Sequence, residues 1–278
     1  MATASINGTT LHFEIDGDRA PCLVLHGGLG LDHIVYRRTL GRLADHLRLV
    51  FIDHRGNGRS GRPPLESITM EQLADDAVGV ADHLGVGRFT VLGHSYGGFI
   101  AQELAIRHGA RVGRLILVAT TPGQLGSTEE PDDDEQGLPM PSDALEILQT
   151  PPRTDEEFEA AMARLLPFYF HRRSAADVAP LLAGSIYSAA AMARGFEILS
   201  GWSSVDRLAT VSCPTLLIAG RHDVFTSFPQ SHRIARRLPD AEVVVLDDSG
   251  HFPWIDEPEA FFAAVVDWLD RHAVSAIT

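Results

Sequence analysis

A serine between two glycines, Gly93-His94-Ser95-Tyr96-Gly97, stands where a short apolar run gives way to a helical pattern. A serine hydroxyl is a weak nucleophile at neutral pH until a base takes its proton. The surrounding glycines let the chain turn sharply from strand to helix, hold the serine in strained backbone geometry and leave its hydroxyl exposed. A Cβ at either glycine would strike the adjoining strand or helix. The same turn directs the backbone N–H of Tyr96 toward the oxygen of a carbonyl under attack, where negative charge develops. A glycine-rich turn can carry an idle serine, but the strand before this one and the helix after it argue for chemistry.

The base must come from 13 histidines. His251 follows the last predicted strand, in Asp248-Ser249-Gly250-His251-Phe252-Pro253, and so lies in a loop above the sheet edge. His26, His54 and His94 sit inside other motifs, and most of the rest fall on helix faces or exposed ends. Asp223 follows the preceding strand, in Gly220-Arg221-His222-Asp223. The order Ser, Asp, His along the chain is the one used where a serine sits on such a strand-to-helix turn. Asp247 and Asp248 are rival acids, but they stand too close to His251 in sequence to reach its ring easily; His222 is expected to be a loop residue. A second donor for a carbonyl oxygen is expected from Leu23-Val24-Leu25-His26-Gly27-Gly28-Leu29-Gly30, where a strand runs into glycines. The N–H of Gly28 is the first choice and that of Leu29 the second, with His26 bracing the loop through hydrogen bonds.

Six short apolar runs must carry these groups: Cys22 to Leu25, Leu49 to Ile52, Phe89 to Leu92, Leu115 to Val118, Thr215 to Ala219 and Val243 to Leu246. They do not alternate with polar residues, which is the pattern of strands buried on both faces. Asn7-Gly8 between two β-rich segments predicts an opening hairpin. Helical patterns lie between most of the runs. One is capped by Thr69 with Gln72 three residues on and ends at Gly85. Others cover Phe99 to His108, Ser231 to Leu238 and Pro258 to His272. Strands alternating with helices predict an α/β fold with a mostly parallel, doubly wound sheet.

That alternation stops between about Thr121 and Val205. Gly123 to Pro141 reads as a loop rich in Gly, Pro and acid, with Asp132-Asp133-Asp134-Glu135 as a solvated charge run. Four helical patterns follow without a strand: Asp143 to Leu148, Asp155 to Leu166, Ala175 to Gly184 and Ala189 to Leu199. They predict an inserted helical lid over the carboxyl edge of the sheet, where open α/β folds bind ligands. The expected division is a core in two parts, residues 1–121 and 206–278, with the lid at 122–205.

The chain has 278 residues, 45% hydrophobic and 22% charged, enough for a large core. Its formal charge of −14 repels nucleic-acid backbones and anionic lipid surfaces, so neither is expected as a partner. Cys22 and Cys213 are expected to be buried free thiols. Met1 to Gly8 lacks the basic and apolar segments of a signal peptide, and no apolar run nears the ~20 residues that span a bilayer. A cytoplasmic protein is expected. No H-E-x-x-H, paired C-x-x-C, P-loop or dinucleotide fingerprint is present, so neither a metal nor a cofactor is expected in the chemistry.

Together these motifs resemble the α/β-hydrolase superfamily from end to end, and within it the prolyl aminopeptidase-like branch, which also holds esterases and lactonases. The branch's His-Gly-Gly-Pro-Gly loop reads His-Gly-Gly-Leu-Gly at residues 26–30, and its Asp-x-Arg-Gly-x-Gly-x-Ser block matches Asp53 to Ser60. That block is structural in the family, and no catalytic role is carried over for it. The ending, Ser249-Gly250-His251-Phe252-Pro253 followed by Glu257-Pro258-Glu259, also matches. The resemblance implies Ser95, His251 and Asp223 as nucleophile, base and orienter, and backbone N–H groups of Gly28 and Tyr96 as the oxyanion hole. Hydrolysis of small carboxylic esters or lactones is the expected activity. Release of an N-terminal residue, typically proline, from short peptides is the alternative; it needs lid carboxylates for the substrate amine, with Glu146, Glu156, Glu157, Glu159 and Glu197 as candidates. Lid residues Phe158, Leu165, Leu166, Phe168, Tyr169, Phe170 and Trp202 instead suggest an apolar acyl pocket. A third expectation is a ligand receptor on the same fold with little turnover.

Overall fold

The computed structural model describes residues 2–123 and 137–273; the acidic run expected at Asp132 to Glu135 lies outside them. Among the described residues eight strands form one sheet: β1 Ala2–Ile6, β2 Thr9–Asp16, β3 Ala20–Leu25, β4 Leu47–Ile52, β5 Phe89–His94, β6 Val112–Val118, β7 Thr215–Gly220 and β8 Ala241–Leu246. Their order is β1-β2-β4-β3-β5-β6-β7-β8. From β4 onward every neighbouring pair is parallel, while β1 and β2 are antiparallel additions at one edge. The β1–β2 hairpin turns at Asn7 and Gly8, both at positive φ as an Asn-Gly turn requires. All six predicted core strands are present.

Among the described residues ten α-helices accompany the sheet: α1 Ile34–Thr39, α2 Met70–His83, α3 Tyr96–Arg107, α4 Ser142–Gln149, α5 Asp155–Leu165, α6 Ala175–Leu182, α7 Ala189–Gly201, α8 Pro229–Ala235, α9 Pro253–Asp256 and α10 Pro258–Arg271. The Thr69 hydroxyl accepts the Gln72 N–H at the start of α2, and Gly85 stands at φ 67°, in the left-handed region, just past its end. Helix α3 begins three residues before the sequence pattern suggests, at the serine turn itself.

Both faces of the sheet are covered, and the apolar strands divide their side chains between two cores. Leu23, Leu25, Val91, Leu115 and Leu117 join α2 and α3 on one face. Cys22, Val24, Leu92, Ile116 and Val118 join α1 and α10 on the other. The period-two geometry of a strand thus explains why runs without polar residues were needed. Cys22 and Cys213 are buried free thiols, and burial pushes them up to about 12 and about 11.

Helices α4 to α7 lie between β6 and β7, with no strand among the described residues of that stretch. An isolated antiparallel bridge between Gly123 and Ser203 ties its two ends together. A third apolar cluster, built on Ala144, Ile147, Phe158, Met162, Leu165 and Met192, packs α4, α5 and α7 onto Leu29, Leu31 and Phe225 of the sheet-edge loops, while Val178 of α6 joins the second core. Among the described residues no helix is long and apolar enough to cross a membrane.

Candidate active site

Ser95 ends β5 and caps α3 with φ 50° and ψ −117°. A non-glycine residue in that region is strained and persists only where its surroundings fix it. Three bonds do so here: the Ser95 N–H donates to Val118 O, and Ser95 O accepts both Gly98 N–H and the Thr120 hydroxyl. The flanking glycines are sterically forced. A Cβ at Gly97 would collide with the carbonyl of Leu25, and one at Gly93 with the carbonyl of Gly97.

His251 and Asp223 meet at the ends of β8 and β7. His251 Nδ1 lies 2.8 Å from Asp223 Oδ2, and both side chains are buried. The remaining capacity of the carboxylate is filled by Phe225 N–H at 2.8 Å, Thr226 N–H at 3.1 Å and the Thr226 hydroxyl at 2.7 Å. Burial alone would raise the Asp223 pKa; the neighbouring His251 and the Thr226 donors outweigh it and hold the carboxyl down to about 2. An ionised Asp223 keeps the proton of His251 on Nδ1 and so turns Nε2 into an acceptor. The rival acids are occupied elsewhere: Asp247 pairs with Arg221 and Asp248 with Arg172, both at the surface. His222 stacks on His171 with ring centres 3.5 Å apart.

The glycine loop after β3 offers four N–H groups, and two are already committed. Gly27 donates to the Tyr36 hydroxyl at 2.7 Å and Gly30 to Asn57 Oδ1 at 2.9 Å. Those of Gly28 and Leu29 have no protein acceptor among the described residues, and neither has that of Tyr96 at the first turn of α3. Gly28, Leu29, Ser95, Tyr96 and His251 all line one cavity of about 530 Å³. The structure therefore brings together Ser95, His251, Asp223, Gly28 and Tyr96, with Gly28 and Leu29 both open as the second donor.

Tyr36, Asn57 and Thr226 were not foreseen. Tyr36 is the centre of a buried chain of directional bonds. Its oxygen accepts from Gly27 and lies 2.6 Å from His94 Nδ1, while His94 Nε2 lies 2.8 Å from His251 O. Burial drives His94 well below the ordinary histidine range, so it is neutral. Only one arrangement of protons satisfies all three contacts: Nε2–H donates to the His251 carbonyl, and Nδ1 accepts the Tyr36 hydroxyl. One chain thus ties the glycine loop, the serine turn and the histidine loop. His26 braces its own loop, with Nδ1 on Gly27 O at 2.9 Å and Nε2 accepting His54 N–H at 3.3 Å. The Asp53 to Ser60 block lies beside the site and reaches it through Asn57.

The helices between β6 and β7 contribute much of the cavity's apolar lining. Phe158, Leu165, Leu166 and Tyr169 line the cavity, whereas Phe168, Phe170 and Trp202 do not. Trp202 packs on Phe99 and donates to the buried Glu103. Asp32 is the one carboxylate among the described lining residues, and it accepts Ile34 N–H, Ile186 N–H and Arg59 Nη1. Glu146, Glu156, Glu157, Glu159 and Glu197 are exposed and line no part of it.

Comparison with known proteins gives the same picture at the level of family. The α/β hydrolase fold family model matches residues 21–258. The chain is 29% identical to a Rhizobium rhizogenes protein named as a carbamate hydrolase, over 93% of this chain and 97% of that one. It is 31% identical to a pimeloyl-acyl-carrier-protein methyl ester esterase of Nitrosomonas europaea, over 91% of this chain and 96% of that one. It is 27% identical to a proline iminopeptidase of Pestalotiopsis fici, over 96% of this chain and 98% of that one. Among solved structures, an enol-lactonase from Burkholderia xenovorans superposes with a TM-score of 0.78 at 28% identity, covering 97% of this chain and all of that one.

Proposed function

The chain belongs to the α/β-hydrolase fold family and is a hydrolase; on that premise we propose that it cleaves small carboxylic esters or lactones through an acyl-serine intermediate. In this reading Ser95 Oγ attacks the carbonyl while His251 Nε2 takes its proton. Asp223 holds the imidazole in that tautomer and stabilises its charged form. The N–H of Tyr96, with that of Gly28, receives the oxyanion. His251 then returns the proton to the departing alkoxide and activates the water that frees Ser95. The helices at 122–205 act as the lid that shapes the acyl side.

The observation that carries the ester reading is the lining of the cavity. Its described walls are almost wholly apolar, with no Lys or Arg, and their one carboxylate, Asp32, is already bonded to Arg59 and two backbone N–H groups. A substrate ammonium would be desolvated there without a counter-charge, which is costly. An acyl chain meets no such cost. The lactone and methyl ester activities named for two of the similar proteins accord with this, and the relative named as a proline iminopeptidase supplies the alternative. Comparing p-nitrophenyl esters with proline p-nitroanilide, free and N-acetylated, decides between them. The ester reading expects turnover of the esters and little of either anilide. Brisk cleavage of the free anilide, lost on N-acetylation, with poor turnover of every ester would replace it with the peptidase.

A further inference from the structure

Away from the serine site, three side chains converge where β2 meets the segment before α1. His12 and Glu14 are two residues apart on β2 and so share one face of the strand. His33 stands immediately before α1, and its ring stacks on that of His12 with centres 5.7 Å apart. Glu14 Oε1 lies 3.7 Å from His12 Nε2 and 3.7 Å from His33 Nε2. Those separations exceed hydrogen-bond length. His12 Nε2 is buried and has no hydrogen-bond partner among the described residues, although its side chain is only 6% exposed.

We propose that His12, Glu14 and His33 form a binding site for a divalent transition-metal ion of the zinc class, separate from the hydrolytic centre. Zinc takes imidazole nitrogen and carboxylate oxygen at about 2.0–2.2 Å in tetrahedral array, which sets neighbouring donors about 3.4 Å apart. The three donor atoms lie within 4.8 Å of one another, so small side-chain movements close the set around an ion. A fourth position is left for water. Behind His33, Asp53 Oδ1 lies 2.6 Å from Nδ1, and the same oxygen accepts His33 N–H at 2.9 Å. The Nδ1 contact lies outside hydrogen-bond geometry, but it places a carboxylate on the Nδ1 side of the ring and leaves Nε2 as the nitrogen that faces Glu14. Arg37 Nε faces the other oxygen of Glu14 at 3.6 Å, leaving Oε1 for the ion. The carboxylates of Glu14, Asp16, Asp32 and Asp53 outnumber the guanidiniums paired with them, Arg37 and Arg59, so the region has charge for a cation to neutralise. Glu14, with its side chain 21% exposed, gives the ion a way in. None of the three ligands lines the serine cavity. The role that follows is a clasp between β2, second strand in from the sheet edge, and the segment that continues the glycine loop.

Calorimetric titration of the full chain with Zn²⁺, after chelator treatment and dialysis, tests this. One equivalent should bind, and binding should weaken by about tenfold or more in His12→Gln and in Glu14→Gln. Zn²⁺ should raise the melting temperature of the unsubstituted protein and not of the two variants. Co²⁺ should give the intense visible bands of a tetrahedral site, lost in both. His171→Gln, which alters the stacked His171–His222 pair, should leave all of this unchanged. Circular dichroism identifies the folded variants, and Glu14→Gln, the least buried position, decides alone if His12→Gln does not fold. Absence of stoichiometric binding by the unsubstituted protein overturns the proposal. So does full affinity in folded Glu14→Gln, or loss of binding in His171→Gln.

Discussion

At the scale of single residues, the backbone of Ser95 and the ionisation of Asp223 make separable predictions. Ser95→Ala removes the proposed nucleophile but keeps a Cβ at φ 50°, so kcat should fall roughly a thousandfold or more with the strain retained. Ser95→Gly loses the same activity and relieves the strain, a release of about 1–3 kcal/mol offset in part by the greater freedom of glycine in the unfolded chain. The glycine variant should therefore be the more stable of the two by about 1 kcal/mol in urea denaturation; equal or reversed stabilities would mean that the turn imposes no strain. Asp223 gives a pH-dependent test. Its carboxyl is held down to about 2 in the fold against an ordinary 3.8, so ionised Asp223 stabilises the folded state above about pH 4. That contribution is lost as pH falls toward 2. Asp223→Asn lacks it, so the gap in urea midpoint between the two proteins should stay constant above about pH 5 and narrow between about pH 5 and pH 2. The variant should also lose most of its turnover, because the amide no longer enforces the tautomer of His251. A constant gap would place the depressed carboxyl elsewhere, and near-normal turnover would move the acid role, first to Asp247 or Asp248.

At the scale of elements, the sequence was most legible where one local pattern decides the structure. Apolar runs without alternation located six strands, Asn7-Gly8 located the hairpin, and Thr69 with Gln72 located a helix start. Each signal lies within a few residues of what it specifies. The chain from the glycine loop to His251 through Tyr36 and His94 was not legible, because its contacts span 9, 58 and 157 residues. Nothing adjacent to Tyr36 marks it as polar-bonded, and it reads as one more apolar residue. Helix α3 was placed late because Gly97 and Gly98 read as a turn; close packing against Leu25 and Thr120 makes glycine necessary inside the helix instead. The glutamates considered for an amine pocket illustrate the converse. Helical periodicity gives their face only relative to a partner, and the partner's position is a matter of tertiary packing. The bond chain is testable through Tyr36→Phe, which keeps the ring and leaves both Gly27 N–H and His94 Nδ1 unpaired in a buried setting. Each such group costs about 1–3 kcal/mol. Stability in urea should drop by at least the lower figure, and kcat should fall about tenfold or more as the loop bearing Gly28 loosens. Unchanged stability and turnover would mean that the contacts do not position the loop.

At the scale of the whole molecule, the sheet edge carries the proposed reacting groups and the stretch between β6 and β7 lines the rest of the cavity, so the two can be varied separately. The cavity of about 530 Å³ falls in the range of small-molecule sites, and its far side is built by Phe158, Met162, Leu165 and Met192 from α5 and α7. These side chains also form the apolar cluster that seats the helices on Leu29 and Leu31. Acyl chains that reach this wall should gain about 0.8 kcal/mol at most for each buried methylene, which is about fourfold in kcat/KM. The gain should appear in kcat/KM along a series of p-nitrophenyl esters and stop at the length that fills the cavity. Met192→Trp, by enlarging a lining side chain on α7, should bring that limit to a shorter chain while leaving the acetyl ester nearly unaffected. Phe158→Ala should move it to a longer one, at a stability cost of about 3–5 kcal/mol for truncating a buried aromatic. The opposite displacement of the limit in the two variants is the distinguishing result, because a general loosening of the fold would depress every ester together. A limit that stays fixed in both would mean that the acyl chain lies along the sheet-edge loops, beside Val224 and Phe225, and that the inserted helices contribute to enclosure without measuring length.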